Sequence, residues 1–233
     1  MDIVKREWSI DFLKGIAIIM VFMVHSIQPI YGMNYIIGTS SHLGQLGCQL
    51  FFMISGYLAV VSYKKTNNGI TFFRRKCRNL LPAWRIMMAI YLIYTLIGVS
   101  LFGENCYRPV VTELFGLVVG WFGMHGLFPK YCNRIIPGGW YVGTLMLLYI
   151  LTPLFMKLVT KYSKRSLYVY FFGSIIAVGL IVGISGRVDI FDNNTYGYYS
   201  VLVQSSSYLL GMYVAEKKIE GGAPLYSFCH GVA

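Results

Sequence analysis

Three ionisable side chains stand in an otherwise apolar run near the amino terminus. The stretch IDFLKGIAIIMVFMVHS, residues 10–26, holds Asp11, Lys14 and His25. At ~100° per residue, the eleven steps from Lys14 to His25 complete three turns plus roughly 20°, so the two share a helical face ~16 Å apart along the axis. Asp11 lies one turn before Lys14, within ion-pair reach. This places a carboxylate-held cation toward one end of the segment and an imidazole toward the other. A neutral imidazole is available at pH 7, so His25 can act as general base or as nucleophile. The purely structural alternatives stay open here: a lysine snorkelling beside Asp11, and a histidine satisfied between helices.

Three more stretches carry candidate chemistry. GCQLFFMISGYL, residues 47–58, sets Gly56 where helices can approach closely and Ser55 where a hydroxyl can bond across them. FFRRKCRNLLPAW, residues 72–84, has Arg75 and Arg78 one helical turn apart. Such a pair can form a fork for phosphate, or can simply anchor the chain at the cytoplasmic surface. GGWYVGTLMLLYILTPLF, residues 138–155, opens on Trp140 and Tyr141, which suit a sugar-stacking surface or an interfacial aromatic belt.

The elements that must position these groups are membrane helices. The chain has 233 residues, 56% hydrophobic and 12% charged, with mean hydropathy +0.59. Runs near the ~20 residues needed to cross a bilayer are Ile10–Ile30, Gly44–Tyr63, Leu80–Phe102, Gly139–Val159, Leu167–Ser185 and the shorter Ser200–Ala215. The expected fold is all-α, a polytopic transmembrane bundle of about six spans. The first run is too long and too charged for a cleaved signal peptide.

The net charge of +11 is not a nucleic-acid signature once the charges are placed. With both termini cytoplasmic, sixteen basic groups face five acidic ones inside, and four face four outside. That asymmetry is the positive-inside pattern. A crossing by VVTELFGLVVGWFGMHGLF, residues 110–128, would destroy it. This segment, with its glycines, Glu113 and His125, is therefore expected to be re-entrant or interfacial on the outer side. There it would cap a cavity and offer Trp121, with Trp140, to sugar rings.

None of the five cysteines is paired at a metal-site or redox spacing. Cys106 and Cys132 both fall on the outer side, where a disulfide or two free thiols would be compatible with an oxidising compartment. Asn193–Thr195 reads as a glycosylation sequon, which matters only in a secretory pathway that uses it.

Taken in order, these stretches resemble the acyltransferase-3 family of integral membrane O-acyltransferases. The resemblance rests on Lys14 with His25; on Gly47, Phe51, Phe52, Ser55 and Gly56; on Arg75, Arg78, Leu81, Pro82 and Trp84; on Trp140, Tyr141, Pro153 and Leu154; and on SSYLLGMYVAE, residues 206–216. Lys14 stands where many members have arginine. The resemblance implies transfer of an acyl group, usually acetyl, from cytoplasmic acyl-coenzyme A to a hydroxyl of an extracytoplasmic or lipid-linked glycan. It makes His25 the catalytic residue, either as base or as acyl carrier. It assigns donor phosphates to Lys14, Arg75 and Arg78, with Trp84 near the rim of their cavity. Asp11 then steadies Lys14, Ser55 is a candidate oxyanion donor, and Trp140 supports the site.

The resemblance further implies a cell-membrane location, the inner membrane if bacterial. The expected partners are acyl-coenzyme A, a glycan or glycolipid acceptor and membrane lipids, without nucleic acid. No cofactor or metal is expected, acyl-coenzyme A being a co-substrate. The acyltransferase-like domain covers residues 1–218, and residues 219–233, IEGGAPLYSFCHGVA, do not match. Because members have around ten spans, the chain is expected to be partial and inactive alone. Two rival readings remain: a secondary transporter, which would also place charges in spans but should show repeats and broken helices, and a non-catalytic membrane subunit of a polysaccharide assembly system.

Overall fold

The computed structural model describes residues 8–27, 46–102, 110–128, 131, 136, 138–161, 199 and 201–221. Among these residues the secondary structure is helical throughout. Six α-helices occur in order: α1 Trp8–Ile27, α2 Leu46–Thr66, α3 Gly69–Phe102, α4 Val110–Trp121, α5 Trp140–Lys161 and α6 Val201–Glu220, with a 3-10 turn at His125–Leu127. Of these, α1, α2 and α5 are long and apolar enough to cross a membrane. The chain is an all-α membrane bundle, as its hydropathy requires. The apolar run Leu167–Ser185, Cys106, Cys132, the sequon and residues 222–233 lie outside the described residues.

The helices fall into two compact units. The first takes Met1–Asn67, Pro153–Phe171 and Gln204–Ala233, and the second takes Asn68–Thr152 and Phe172–Val203. One division falls between two asparagines that end one helix and start the next. Lys64 and Lys65 favour the negative end of the α2 dipole. Asn67 then adopts a left-handed conformation (φ 46°) and donates its N–H to the Tyr63 carbonyl at 2.8 Å. Asparagine tolerates that geometry better than most residues. Asn68 Oδ1 accepts the N–H groups of Ile70 at 2.9 Å and Thr71 at 3.1 Å, the bonds of a helix N-cap. The third helix therefore begins at Gly69, not at Leu80 as hydropathy suggests. The basic stretch is the helix's own first half.

In the first unit, α2 and α6 cross without intervening side chains. A Cβ on Gly56 would fall inside the Tyr208 carbonyl, and one on Gly211 inside the Met53 carbonyl. Beyond this crossing Lys64 Nζ lies 2.7–2.8 Å from the Glu216 carboxylate oxygens. Both C-terminal ends thus lie at the same end, and the two helices run the same way. The core here is Phe52, Val60, Tyr208 and Met212, all fully buried. Helix α1 settles on α2 at Gly47, whose Cβ would meet the Ala17 carbonyl at 2.8 Å and the Met20 Cβ at 2.9 Å.

In the second unit, α3 and α5 lie side by side in opposite senses. Phe72 meets Tyr149 edge-on at 5.9 Å, while Leu81 and Met146 flank Gly123 and His125 lies against Gly143. Phe72, Met88, Met146 and Leu148 form the core. The 12 residues of α4 span ~18 Å, too short for a crossing of ~30 Å. Residues 110–128 form a broken element, as their glycines require.

Candidate active site

In the first unit, Asp11, Lys14, His25 and Ser55 stand on α1 and α2. The structure joins Asp11 Oδ1 to Lys14 Nζ at 3.4 Å, with side chains 19% and 29% exposed. The residues buried along α1 are Ile10, Ala17 and Val24, a seven-residue repeat that faces α2. Lys14 and His25 flank that stripe on a common side, at ~40° and ~60° from Ile10 by helical rotation. His25 occupies the last turn of α1 and is exposed. Ser55 is half-buried beside Gly56. The pair of Asp11 and Lys14 can present a cation at a fixed place, and His25 can accept a proton without leaving the helix.

In the second unit, Arg75, Arg78 and Trp84 stand on α3, and Trp140 on α5. Arg75 is half-buried and Arg78 exposed. Between them, Lys76 turns toward α5, its Nζ 5.1 Å from the Tyr149 ring centre and 5.5 Å from that of Phe72. That contact binds part of the basic stretch to the apolar helix beside it.

Trp84 is buried, and its partners explain why. Gly123 (φ 71°) closes a Schellman turn at the end of α4: Met124 N–H donates to the Val119 carbonyl at 3.0 Å and Gly123 N–H to that of Gly120 at 2.8 Å. Trp84 Nε1–H also donates to the Gly120 carbonyl, at 2.7 Å. Arg85 Nε–H donates to the Trp121 carbonyl at 3.2 Å. These bonds answer the carbonyls that a helix end leaves over, which lets α4 stop in apolar surroundings. The tip that follows stacks the His125 ring on Trp84, with centroids 4.9 Å apart and planes 12° apart. Trp84 and the tip therefore share one level. They cannot occupy a near rim and a far cap of the same cavity.

His125 is the residue that motif reading passed over. It is 1% exposed, and its Nε2–H donates to the Gly139 carbonyl at 2.7 Å. The carbonyl can only accept, so the proton of the neutral ring is on Nε2. Burial pushes its pKa below the ordinary histidine value, and the Gly139 bond opposes this weakly. The signal in the sequence was Gly139 and Gly143, a GxxxG spacing that permits close packing. A Cβ on Gly143 would meet the His125 ring at 2.9 Å.

Trp140 also has its partner. It is 6% exposed and stacks on Tyr199 at 4.8 Å, whose carbonyl accepts from the Thr144 hydroxyl at 3.1 Å. That ring face is not open to a sugar. Trp121, at 43% exposure, is open, with Arg85 over its ring at 5.5 Å.

This fold and these side chains define an integral membrane protein of the all-helical class, with titratable groups carried on its first and third helices. The chain belongs to the acyltransferase-3 family, whose acyltransferase domain matches residues 7–222. It is 25% identical over 171 residues to the acyltransferase MdmB of Streptomyces mycarofaciens, covering 71% of this chain and 43% of that protein. It is 24% identical over 218 residues to the O-acetyltransferase OatA of Staphylococcus aureus, covering 89% of this chain and 34% of that protein. With the peptidoglycan O-acetyltransferase OatA of Listeria monocytogenes it shares 23% identity over 168 residues, 67% of this chain and 25% of that one. The chain thus spans less than half the length of these relatives. No solved structure matches it.

Proposed function

We propose that the chain serves a membrane O-acyltransferase that moves an acyl group, acetyl in the simplest case, from cytoplasmic acyl-coenzyme A to a hydroxyl of an extracytoplasmic or lipid-linked glycan. The family match over residues 7–222 carries the reading, and the names of the OatA relatives support a glycan acceptor. The chain crosses the membrane several times with both termini cytoplasmic, the orientation favoured by its charge asymmetry.

In this reading Lys14, Arg75 and Arg78 hold the donor's phosphates, and Asp11 steadies Lys14. His25 takes the proton of the acceptor hydroxyl as that oxygen attacks the thioester carbonyl. Collapse of the tetrahedral adduct expels the thiolate, which recovers the proton from the imidazolium. In a two-step version the imidazole itself takes the acyl group first and then passes it on.

The test is to express the protein in a strain lacking its own O-acetyltransferase. Acyl groups on the cell-wall glycan are then measured per amount of enzyme. General-base catalysis is worth ~10²–10⁴-fold, so His25→Ala and His25→Gln should both lose at least about a hundred-fold. Near-normal acylation by both variants would remove His25 from the chemistry.

A further inference from the structure

The basic turn of α3 lies deep along a membrane-spanning helix. Tyr149 is the tenth of the 21 residues of the α5 span Trp140–Thr160. Its ring meets that of Phe72 edge-on, and Lys76 Nζ lies 5.1 Å from its centre. Side chains lean toward the start of their own helix, and these two helices are antiparallel. The Lys76 backbone therefore lies on the Trp140 side of Tyr149, further from the inner end of α5 than Tyr149 itself. Arg74, Arg75 and Arg78 stand within ~3 Å of Lys76 along the α3 axis. Four cations thus occupy the middle depth of the span. They do not share one face. By helical rotation from Phe72, Lys76 stands at ~40°, and Arg74, Arg78, Thr71 and Arg75 stand at ~200°, ~240°, ~260° and ~300°. Lys76 turns to α5. On the side away from it, Thr71, Arg74 and Arg78 are exposed and Arg75 is half-buried. Neither Arg74 nor Arg78 pairs with a carboxylate among the described residues.

We propose that the polar side of α3, from Thr71 to Arg78, lines a water-filled inlet that carries small anions from the cytoplasmic face to the middle depth of α5. A charged side chain at that depth cannot meet hydrocarbon, and it faces protein or a wet cavity. Snorkelling serves cations near the end of a span, and Tyr149 is eleven residues, ~16 Å, from the inner end of this one. The inlet opens on the side where α3 starts, which the charge asymmetry makes cytoplasmic. Cations clustered between low-dielectric walls raise the local concentration of anions, so the wall admits phosphate-bearing solutes and repels cations. Lys76, held over the Tyr149 and Phe72 rings, adds its charge from the side of α5. This inference does not rest on the acyl-transfer reading.

The test compares two single cysteines at one depth in the full chain, with its five native cysteines replaced by alanine. Arg74→Cys reports on the polar side of α3. Ile150→Cys reports on the outer surface of α5 beside Tyr149, where Ile150 is 44% exposed. Both positions are exposed, so neither change empties the core. Inverted membrane vesicles are treated with the impermeant anion sulfonatoethyl methanethiosulfonate and, in parallel, with its trimethylammonium analogue. The anionic reagent is expected to modify Arg74→Cys and to leave Ile150→Cys intact. Relative to a free thiol in solution, the preference of Arg74→Cys for the anion should be raised roughly ten-fold or more. Adding Arg78→Gln should cut that preference several-fold. Modification of both cysteines would put this level at the membrane surface and overturn the proposal. Modification of neither would show the arginines covered by dry protein and would equally overturn it. So would modification from right-side-out vesicles alone, or an anion preference no greater than that of the free thiol. A preference unchanged by Arg78→Gln would remove the arginines from the wall and overturn it as well. The comparison of the two single cysteines stands even where the Arg78→Gln variant does not insert.

Discussion

The two compact units hold their helices by different means. In the first, α2 and α6 touch backbone to backbone at Gly56 and Gly211, and α1 rests on Gly47. In the second, side chains reach for backbone oxygens: Trp84 and Arg85 for the end of α4, His125 for Gly139, Thr144 for Tyr199. The second unit has one close glycine approach of its own, at Gly126 and Gly143. A helix that continues through an apolar medium satisfies its own backbone and associates by shape, for which small residues suffice. A helix that stops there leaves carbonyls that need donors. The difference follows from whether the chain passes through or turns back.

The largest effect that could break this contrast belongs to the first unit. Gly211→Leu should leave no monodisperse protein on size exclusion in detergent. Overpacking that side chains can absorb costs ~1–3 kcal/mol, but the obstacle here is the Met53 carbonyl, which cannot swing aside. Recovery of well-behaved Gly211→Leu protein would show that the crossing tolerates separation.

In the second unit, Trp84→Ala should cost ~3–5 kcal/mol, the range for emptying a buried aromatic site. Trp84→Phe keeps a ring against His125 but not the indole N–H, and should cost ~1 kcal/mol. Thermal unfolding of the two variants separates donor from ring. A phenylalanine variant as unstable as the alanine one would mean that the bond to Gly120 dominates.

The contrast extends to catalysis under the proposed function. Arg75→Ala and Arg78→Ala, in the second unit, should each weaken acyl-coenzyme A binding by roughly ten- to a hundred-fold, corresponding to ~1.5–3 kcal/mol. His25→Ala, in the first, should leave donor affinity intact. Calorimetric titration of the protein decides this, and unchanged affinity in both arginine variants would return them to anchoring the chain.

The smallest effect is a pH dependence. His125 lies in the tip outside the spanning helices, and burial holds its folded pKa below the unfolded value of ~6.5. Below that pH the unfolded chain binds a proton that the folded chain resists. Stability from this group is therefore full above ~6.5 and declines as the pH falls, by at most ~1.4 kcal/mol at pH 5.5, one unit lower. His125→Phe should flatten that decline between pH 7.5 and 5.5 in melting experiments. An unchanged slope would assign it to other groups.

Hydropathy located four helices almost to their ends. Ile10–Ile30 became α1, Gly44–Tyr63 became α2, Gly139–Val159 became α5 and Ser200–Ala215 became α6, each within a few residues of its observed bounds. A single stretch of backbone in lipid must be helical, so length and apolarity sufficed. They failed at the start of α3, because the four basic residues Arg74, Arg75, Lys76 and Arg78 hide a helix from a hydropathy scan although they do not break one. Gly56 was legible as a close approach. Gly211 was not singled out, though Ser207, Gly211 and Ala215 carry the same small-residue spacing. The stack of Trp84 on His125 joins residues 41 apart in the chain, and no periodicity records which faces meet. Asp11 with Lys14 was readable because three residues on a helix decide the distance. The surroundings of His25 depend on packing between elements, which its spacing from Lys14 does not contain.

The joint between α2 and α3 has a bearing on how the protein ages. Asn68 precedes Gly69, and an asparagine before glycine is the pair most prone to lose its side-chain amide, because the unhindered glycine nitrogen can close a ring on the carboxamide carbon. In this structure the Asn68 carboxamide is held by the N–H groups of Ile70 and Thr71, which fixes it as the cap of α3. Loosening of the first turn of α3 would free it for cyclisation. Reopening of that ring by the other route would insert an extra backbone carbon at the joint. Chemical lifetime is thus coupled to the integrity of one helix start, and isoaspartate at position 68 would serve as a clock for how often that turn opens.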